Sequence, residues 1–258
     1  MADSRSAIGV FDSGVGGIGT LAQLTRELPH ESFVYFGDTA NAPYGTKAPE
    51  EVMRCVRSVM EQLTAMDVKA VVIACNTATS VAAARLRAEL TLPIIGMEPA
   101  LKPAAEARRD GMILVLGTPV TLRLEKFSAL MDKYGEGAVR VPCPGLMELV
   151  EARDFDQAEL YLQNLLRDYD LNRVDAVVLG CTHYVFLRPV LKRLLPEHVR
   201  VFDGNEGTAR QLRRVLEQNA LLNETEEQGS VKLLTSSPHK EETISVMQAL
   251  LKMAVETL

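Results

Sequence analysis

Two stretches of this chain, 106 residues apart, are near copies of one another, and the duplication restricts its fold more than any other feature. Residues 67–77 (Asp-Val-Lys-Ala-Val-Val-Ile-Ala-Cys-Asn-Thr) can be laid on residues 173–183 (Arg-Val-Asp-Ala-Val-Val-Leu-Gly-Cys-Thr-His). Val68/Val174, Ala70/Ala176, Val71/Val177, Val72/Val178 and Cys75/Cys181 are identical at that spacing. A fainter echo, offset by 105, sets Ile8–Ser13 against Ile113–Thr118. Each copy is an apolar run ending in Cys. A repeat of about 100 residues is the size of a small domain, so the 258 residues are expected to form two similar halves.

Short apolar runs alternate with helical patterns between and around the copies. The runs cover 7–11, 32–36, 68–74, 112–117, 138–141, 174–180, 199–202 and 231–235. Val52, Val56, Val59, Leu63 and Met66 recur at one-face helical spacing behind Pro49-Glu50-Glu51, a suitable first turn. Residues 78–90, 120–134, 157–169, 208–219 and 240–256 read as helices too. Strands apolar on both faces and separated by helices imply an α/β fold with parallel sheets covered on both sides. Breaker residues place the boundaries near 97 and 205 (Gly96, Pro99 and Pro103; Gly204 and Gly207). The first domain is then residues 1–97 with 208–258, carrying Asp12 and Cys75. The second is 98–207, carrying Cys181 and His183. The C-terminal residues exceed the two repeats and are expected to complete the first sheet.

Composition narrows the function. An apolar share of 47% excludes a disordered chain, and a net charge of −6 argues against a broad nucleic-acid surface. No apolar run approaches the roughly 20 residues of a membrane span. The N-terminal residues lack a basic segment followed by an apolar stretch, so no secretory signal is expected. A cytoplasmic protein with reduced thiols follows as an expectation. The cysteines, at 55, 75, 143 and 181, have neither zinc-knuckle nor CxxC spacing, and no metal site is expected.

In parallel α/β sheets, ligands bind beyond the carboxyl ends of the strands. The residues there are Asp12-Ser13, Asp38, Cys75-Asn76-Thr77, Gly117-Thr118, Cys143-Pro144 and Cys181-Thr182-His183. Gly14-Val-Gly16-Gly17-Ile-Gly19 also satisfies the dinucleotide-binding glycine pattern, with Asp38 where a ribose-binding acid would stand. Asp12, directly before that loop, would put a carboxylate against a pyrophosphate. A buried Cys is usually only a small hydrophobe, which suits Cys55 and Cys143. Two at equivalent positions of a repeat, each at a helix start whose N–H groups favour a thiolate, suggest more. His183, beside Cys181, stands in this constellation, whereas His30, His198 and His239 read as surface residues. Opposed thiols across a pseudo-twofold cleft can serve as acid and base on either face of one carbon, which is two-base racemisation.

Taken together, these motifs resemble the cofactor-independent aspartate/glutamate racemases. The matching strings are Phe11-Asp12-Ser13-Gly-Val-Gly-Gly17, Gly37-Asp38-Thr39, Pro43-Tyr44-Gly45, Ala74-Cys75-Asn76-Thr77-Ala78, Cys143-Pro144, Leu149-Val150-Glu151 and Gly180-Cys181-Thr182-His183-Tyr184. The resemblance implies two α/β domains with the active site in the cleft between them, working without pyridoxal phosphate or metal. It implies Cys75 and Cys181 as the proton donors and acceptors, with Asp12 assisting the first and His183 and Glu151 the second. It implies that Asp12, Ser13, Tyr44, Gly45, Asn76, Thr77, Thr118, Thr121, Thr182 and His183 hold an amino acid's ammonium and two carboxylates. The substrate implied is L- and D-glutamate, with aspartate the nearest alternative, supplying the D-isomer for peptidoglycan. A homodimer is implied, without nucleic-acid or membrane partners. Where the family often carries Arg before Pro-Tyr-Gly, this chain reads Ala40-Asn41-Ala42. A nucleotide-binding dehydrogenase and a protein that chiefly sequesters a partner are the competing classes.

Overall fold

The computed structural model describes residues 3–257. Its contacts divide the chain into two units, Met1–Met97 with Asn205–Leu258, and Glu98–Gly204. The second crossing falls at 204/205 and not at 207/208, because the helix that returns the chain begins at Asn205 and packs on the first unit.

The first unit opens as β1 (Ile8–Asp12), α1 (Ile18–Glu27), β2 (Phe33–Gly37), α2 (Pro49–Thr64), β3 (Ala70–Ile73), α3 (Asn76–Glu89) and β4 (Ile94–Gly96). The second unit is α4 (Leu101–Ala107), β5 (Met112–Gly117), α5 (Glu125–Tyr134), β6 (Ala138–Pro142), α6 (Leu146–Glu151), α7 (Phe155–Leu166), β7 (Val174–Leu179), α8 (Arg188–Leu194) and β8 (Arg200–Asp203). The chain then adds α9 (Asn205–Gln218), β9 (Val231–Thr235) and α10 (Lys240–Thr257) to the first unit. Every strand pairing is parallel.

The first sheet runs β4-β3-β1-β2-β9 and the second β6-β5-β7-β8. Read from its other edge, β8-β7-β5-β6 reproduces β4-β3-β1-β2. The register agrees residue by residue. Ile8 faces Ala70 and Phe33, and Ile113 faces Ala176 and Ala138. Among the described residues, β9 alone is a strand without a counterpart, and it extends the first sheet beyond β2, as the surplus C-terminal residues imply.

The apolar runs become strands because side chains on both faces find cover. β1, β2 and β3 are buried along their whole length. Val52, Val56, Val59 and Leu63 of α2 are buried against Phe11, Phe36, Val71 and Ile73, whereas Met66 lies past the helix end and is 41% exposed. α1 is flanked by α9 and α10, which accounts for an unbroken buried stretch from Ile18 to Leu24. Residues 120–134 do not form one helix. A 3-10 turn at Thr121–Arg123 is followed by an extended Leu124, and α5 starts afresh at Glu125. The hydroxyl of Thr118 accepts the Thr121 N–H and fixes that turn.

The two units close the entry to their central strands with opposite charges. Lys69, immediately before β3 and 1% exposed, places Nζ 2.5 Å from Glu31 Oε2 and donates to the carbonyl of Ser4 at 2.5 Å. The position 106 residues later is Asp175, whose Oδ2 accepts the N–H groups of Arg109 and Gly111 at 2.7 and 2.8 Å. Arg109 is Ser4 displaced by the same 105 that relates β1 to β5.

Candidate active site

In each unit most of the expected residues stand at or just after the carboxyl ends of the strands, and Glu151 ends α6. In the first unit, Asp12 ends β1 and is fully buried, and its Oδ1 accepts the Gly14 N–H at 2.9 Å. Gly17 has to lack a side chain, since a Cβ there would stand 2.6 Å from that of Asp12. The glycine loop is thereby shaped around the Asp12 side chain. The Asp38 carboxylate accepts the Tyr44 hydroxyl at 2.6 Å and the Asn41 amide at 3.0 and 3.1 Å. Burial, reinforced by Asp38, pushes the Tyr44 phenol far up, so it remains a neutral donor. Gly45 follows in the same 3-10 turn, Tyr44–Thr46.

Cys75 caps α3, its sulfur accepting the Ala78 N–H at 3.4 Å. Helix N–H groups favour negative charge on a sulfur so placed. Asn76 and Thr77 begin the helix and are buried, as is Ser13. The Asn76 carboxamide oxygen is buried without a hydrogen-bond partner. Such an atom costs about 1–3 kcal/mol unless a ligand supplies a donor.

The second cluster solves the same problem differently. Cys181 precedes a 3-10 turn, Thr182–Leu187, and not an α-helix, and its side chain makes no capping bond. The sulfur instead lies 3.7 Å from His183 Nδ1, and His183 Nε2 lies 3.0 Å from Glu151 Oε1 at the end of α6. Burial opposes charge on His183, yet its contacts with Cys181 and Glu151 prevail and hold its pKa well above 6.5. Burial likewise pushes Glu151 up, and the His183 hydrogen bond and charge outweigh it, leaving that carboxyl below 4.5. Thr118 donates to Thr121 Oγ1 at 2.9 Å, and Thr121 and Thr182 are buried. Asn41 and Tyr184 carried no separate sequence signal. The Tyr184 hydroxyl donates to the Cys143 carbonyl at 3.2 Å, joining the turn after Cys181 to the end of β6.

The other two cysteines pack. Cys143 is 1% exposed, donates to the Val141 carbonyl at 3.3 Å, and burial pushes its thiol up to about 12. Cys55 sits half-buried in α2 against the first unit's core. His30, His198 and His239 are exposed. No cluster of three or more metal-binding side chains occurs among the described residues, and none of the described helices is long and apolar enough to cross a membrane.

The His183–Glu151 pair gives stability a defined pH window. A raised histidine contributes fully below 6.5 and loses its contribution as pH rises through the folded value. A lowered carboxyl contributes above 4.5 and loses its contribution as pH falls through the folded value. Glu151→Gln is therefore expected to cost about 1 kcal/mol near pH 5.5, discounted for partial exposure, and less at either extreme. Urea unfolding of both proteins across pH checks this, and a pH-independent difference would count against the pair.

The family model described as Asp/Glu/hydantoin racemase matches residues 12–212, spanning both clusters. The chain belongs to that family, and so to the isomerases. Among its relatives in the family is a glutamate racemase of Bifidobacterium animalis subsp. lactis, 48% identical over 243 residues, which are 91% of this chain and 94% of the relative. A Bacillus anthracis glutamate racemase structure superposes with a TM-score of 0.85 at 31% identity, covering 96% of this chain and 95% of the other. The Escherichia coli glutamate racemase, solved with L-glutamate and the activator UDP-MurNAc-Ala, gives a TM-score of 0.82 at 28% identity, covering 95% of each chain.

Proposed function

We propose that this racemase interconverts L- and D-glutamate by two-base proton transfer between Cys75 and Cys181, using no cofactor. The observation that carries the reading is the equivalence of the two thiols. Each follows the same strand of a duplicated sheet in the same register, and polar residues follow β1 and β3 in the first unit (Ser13 and Asn76-Thr77) and β5 and β7 in the second (Thr118 and Thr182-His183). The substrate follows from relatives that are glutamate racemases at 48% and 47% identity.

The α-proton of an amino acid is very weakly acidic, so the carbanion needs fixed donors around its carboxylate. Thr77, Thr118, Thr121 and Thr182 offer hydroxyls and Tyr44-Gly45 a backbone turn, while the unpartnered Asn76 oxygen suits an ammonium N–H. One sulfur, as thiolate, takes the α-proton and leaves its electron pair on the substrate. The other, as thiol, returns a proton to the opposite face. The two sulfurs thereby exchange protonation states, and the reverse reaction uses them in exchanged roles. Asp12 serves the Cys75 side as ammonium partner or proton relay; His183, steadied by Glu151, serves the Cys181 side. The same reading has the protein act in the cytoplasm as a homodimer, supplying D-glutamate for peptidoglycan.

The test is incubation of metal-free, pyridoxal-free protein with D-glutamate in heavy water. Deuterium at Cα and appearance of the L-isomer are expected. Faster turnover of D- or L-aspartate would overturn the substrate, and a thermal shift with NAD but none with glutamate would favour the nucleotide-binding reading.

A further inference from the structure

The segment 38–46, which joins β2 to α2 and carries Tyr44 and Gly45, is packed into the core at Tyr44, whose ring lies 6.1 Å from that of Phe11. Apart from Asp38 and Tyr44, its residues are half-buried or exposed. It consists of two 3-10 turns, Thr39–Asn41 and Tyr44–Thr46, joined by Ala42 and Pro43. Hydrogen bonds hold the rest of it, and they come from two sides. On one side, Asp38 donates its N–H to the Asp12 carbonyl at 2.9 Å and accepts from Tyr44 and Asn41. On the other side stands the end of β9, some 196 residues later. The Thr39 and Thr235 hydroxyls share a hydrogen bond at 2.7 Å, and Ser236 Oγ accepts the Ala40 N–H at 3.0 Å.

The end of β9 is itself well fixed. Thr235 is paired in register with Gly37, and Ser236 donates its N–H to the Gly37 carbonyl at 3.2 Å. The Thr235 hydroxyl also accepts the Ser237 N–H at 3.0 Å, and Thr235 and Ser237 are both buried. β9 is the strand without a counterpart in the second unit, and it lies beyond residue 212, where the family match ends.

We propose that Thr235 and Ser236 are positioning residues for substrate binding, holding the Tyr44–Gly45 turn in place through Thr39 and Ala40. The proposal rests on the reading of Tyr44 and Gly45 as substrate-binding residues. It makes the fifth strand of the first sheet, which has no counterpart in the second, a part of the binding apparatus. The two hydroxyls act through the turn, by the bonds they make to Thr39 and Ala40.

The experiment uses the full chain and the double variant Thr235→Val/Ser236→Ala. Each neutral hydrogen bond is worth a few-fold in an equilibrium, so KM for glutamate is expected to rise about tenfold while kcat changes less than about threefold. Amide hydrogen exchange of residues 39–46 should quicken while β1 and β3 stay as protected as before. Thr235→Ser and Ser236→Thr, which keep the hydroxyls, should restore both values. If the double variant does not fold, Ser236→Ala alone, at a half-buried position, carries the same expectation at about threefold in KM. Unchanged exchange in the segment overturns the proposal, as does faster exchange with unchanged KM. A wild-type chain that neither binds nor turns over glutamate sinks the reading of the site, and with it the substrate role given to these hydroxyls. The exchange measurement would then separate that failure from a failure of the hydroxyls to hold the segment.

Discussion

Alanine at either Cys75 or Cys181 is expected to abolish racemisation, lowering turnover by at least about a thousandfold. A positioned proton donor or acceptor contributes about 10²–10⁴ to a rate. Cys143 is not a substitute, because its thiol is tied to the Val141 carbonyl and burial pushes it up to about 12. The variants have a sharper signature than inactivity. With one sulfur left, a proton can still leave and return on one face of Cα, so solvent deuterium should enter one enantiomer without inversion. Cys75→Ala and Cys181→Ala should label opposite enantiomers, read by chiral separation and mass spectrometry after incubation in heavy water. Unchanged turnover in either variant, or labelling of the same enantiomer by both, would refute the two-thiol mechanism.

The second large effect is expected far from either thiol. Lys69 and Glu31 are an ion pair with side chains 0% and 2% exposed. Removing one partner of such a pair strands a buried charge and costs about 3–5 kcal/mol. Lys69→Met should therefore lower the unfolding midpoint by about 6–20 °C, measured by calorimetry. Adding Glu31→Gln removes the stranded charge yet keeps an oxygen for the Asn223 N–H that Glu31 Oε1 accepts at 2.9 Å. The double variant should recover most of the loss. Below the melting range, glutamate turnover should persist in the single variant, since Lys69 stands at the end of β3 away from Cys75. A loss under about 1 kcal/mol would mean that water reaches the pair.

What was legible in the sequence followed from local pattern and from the repeat. Runs such as Val174–Leu179 have to be covered on both faces, and they became central strands. The duplication implied two similar halves, and four strands of each sheet share their order and register because equal sequences at equal spacing pair alike. Elements that depend on their surroundings were hidden. α1 follows a glycine loop and is stabilised by α9 and α10, which arrive only in the C-terminal part of the chain. α4 contains Pro103 in its first turn, where no N–H is needed, so a residue read as a breaker sits inside a helix. β4 has three residues, too few for a pattern.

The candidate site divides in the same way. Cys75, Cys181 and their immediate neighbours stand out because they end repeated strands. That one sulfur meets a helix N–H and the other an imidazole depends on a 3-10 turn that the repeat does not announce. The hydrogen bonds of Thr39 and Ala40 to β9 join parts of the chain with no shared motif.

The opposite charges at the entries of β3 and β7 have a consequence for how a duplicated chain sorts itself. The two strands carry nearly the same apolar sequence in the same register, so either is a passable mate for β1 or for β5 while the chain is still assembling. Misassembly between similar repeats is a characteristic failure of such proteins. Were β7 to enter the first sheet in place of β3, Asp175 would meet the buried carboxylate of Glu31. Were β3 to enter the second, Lys69 would bring its ammonium to the N–H groups of Arg109 and Gly111, which need an acceptor. A single inverted charge thus gives each half an address that its twin cannot use.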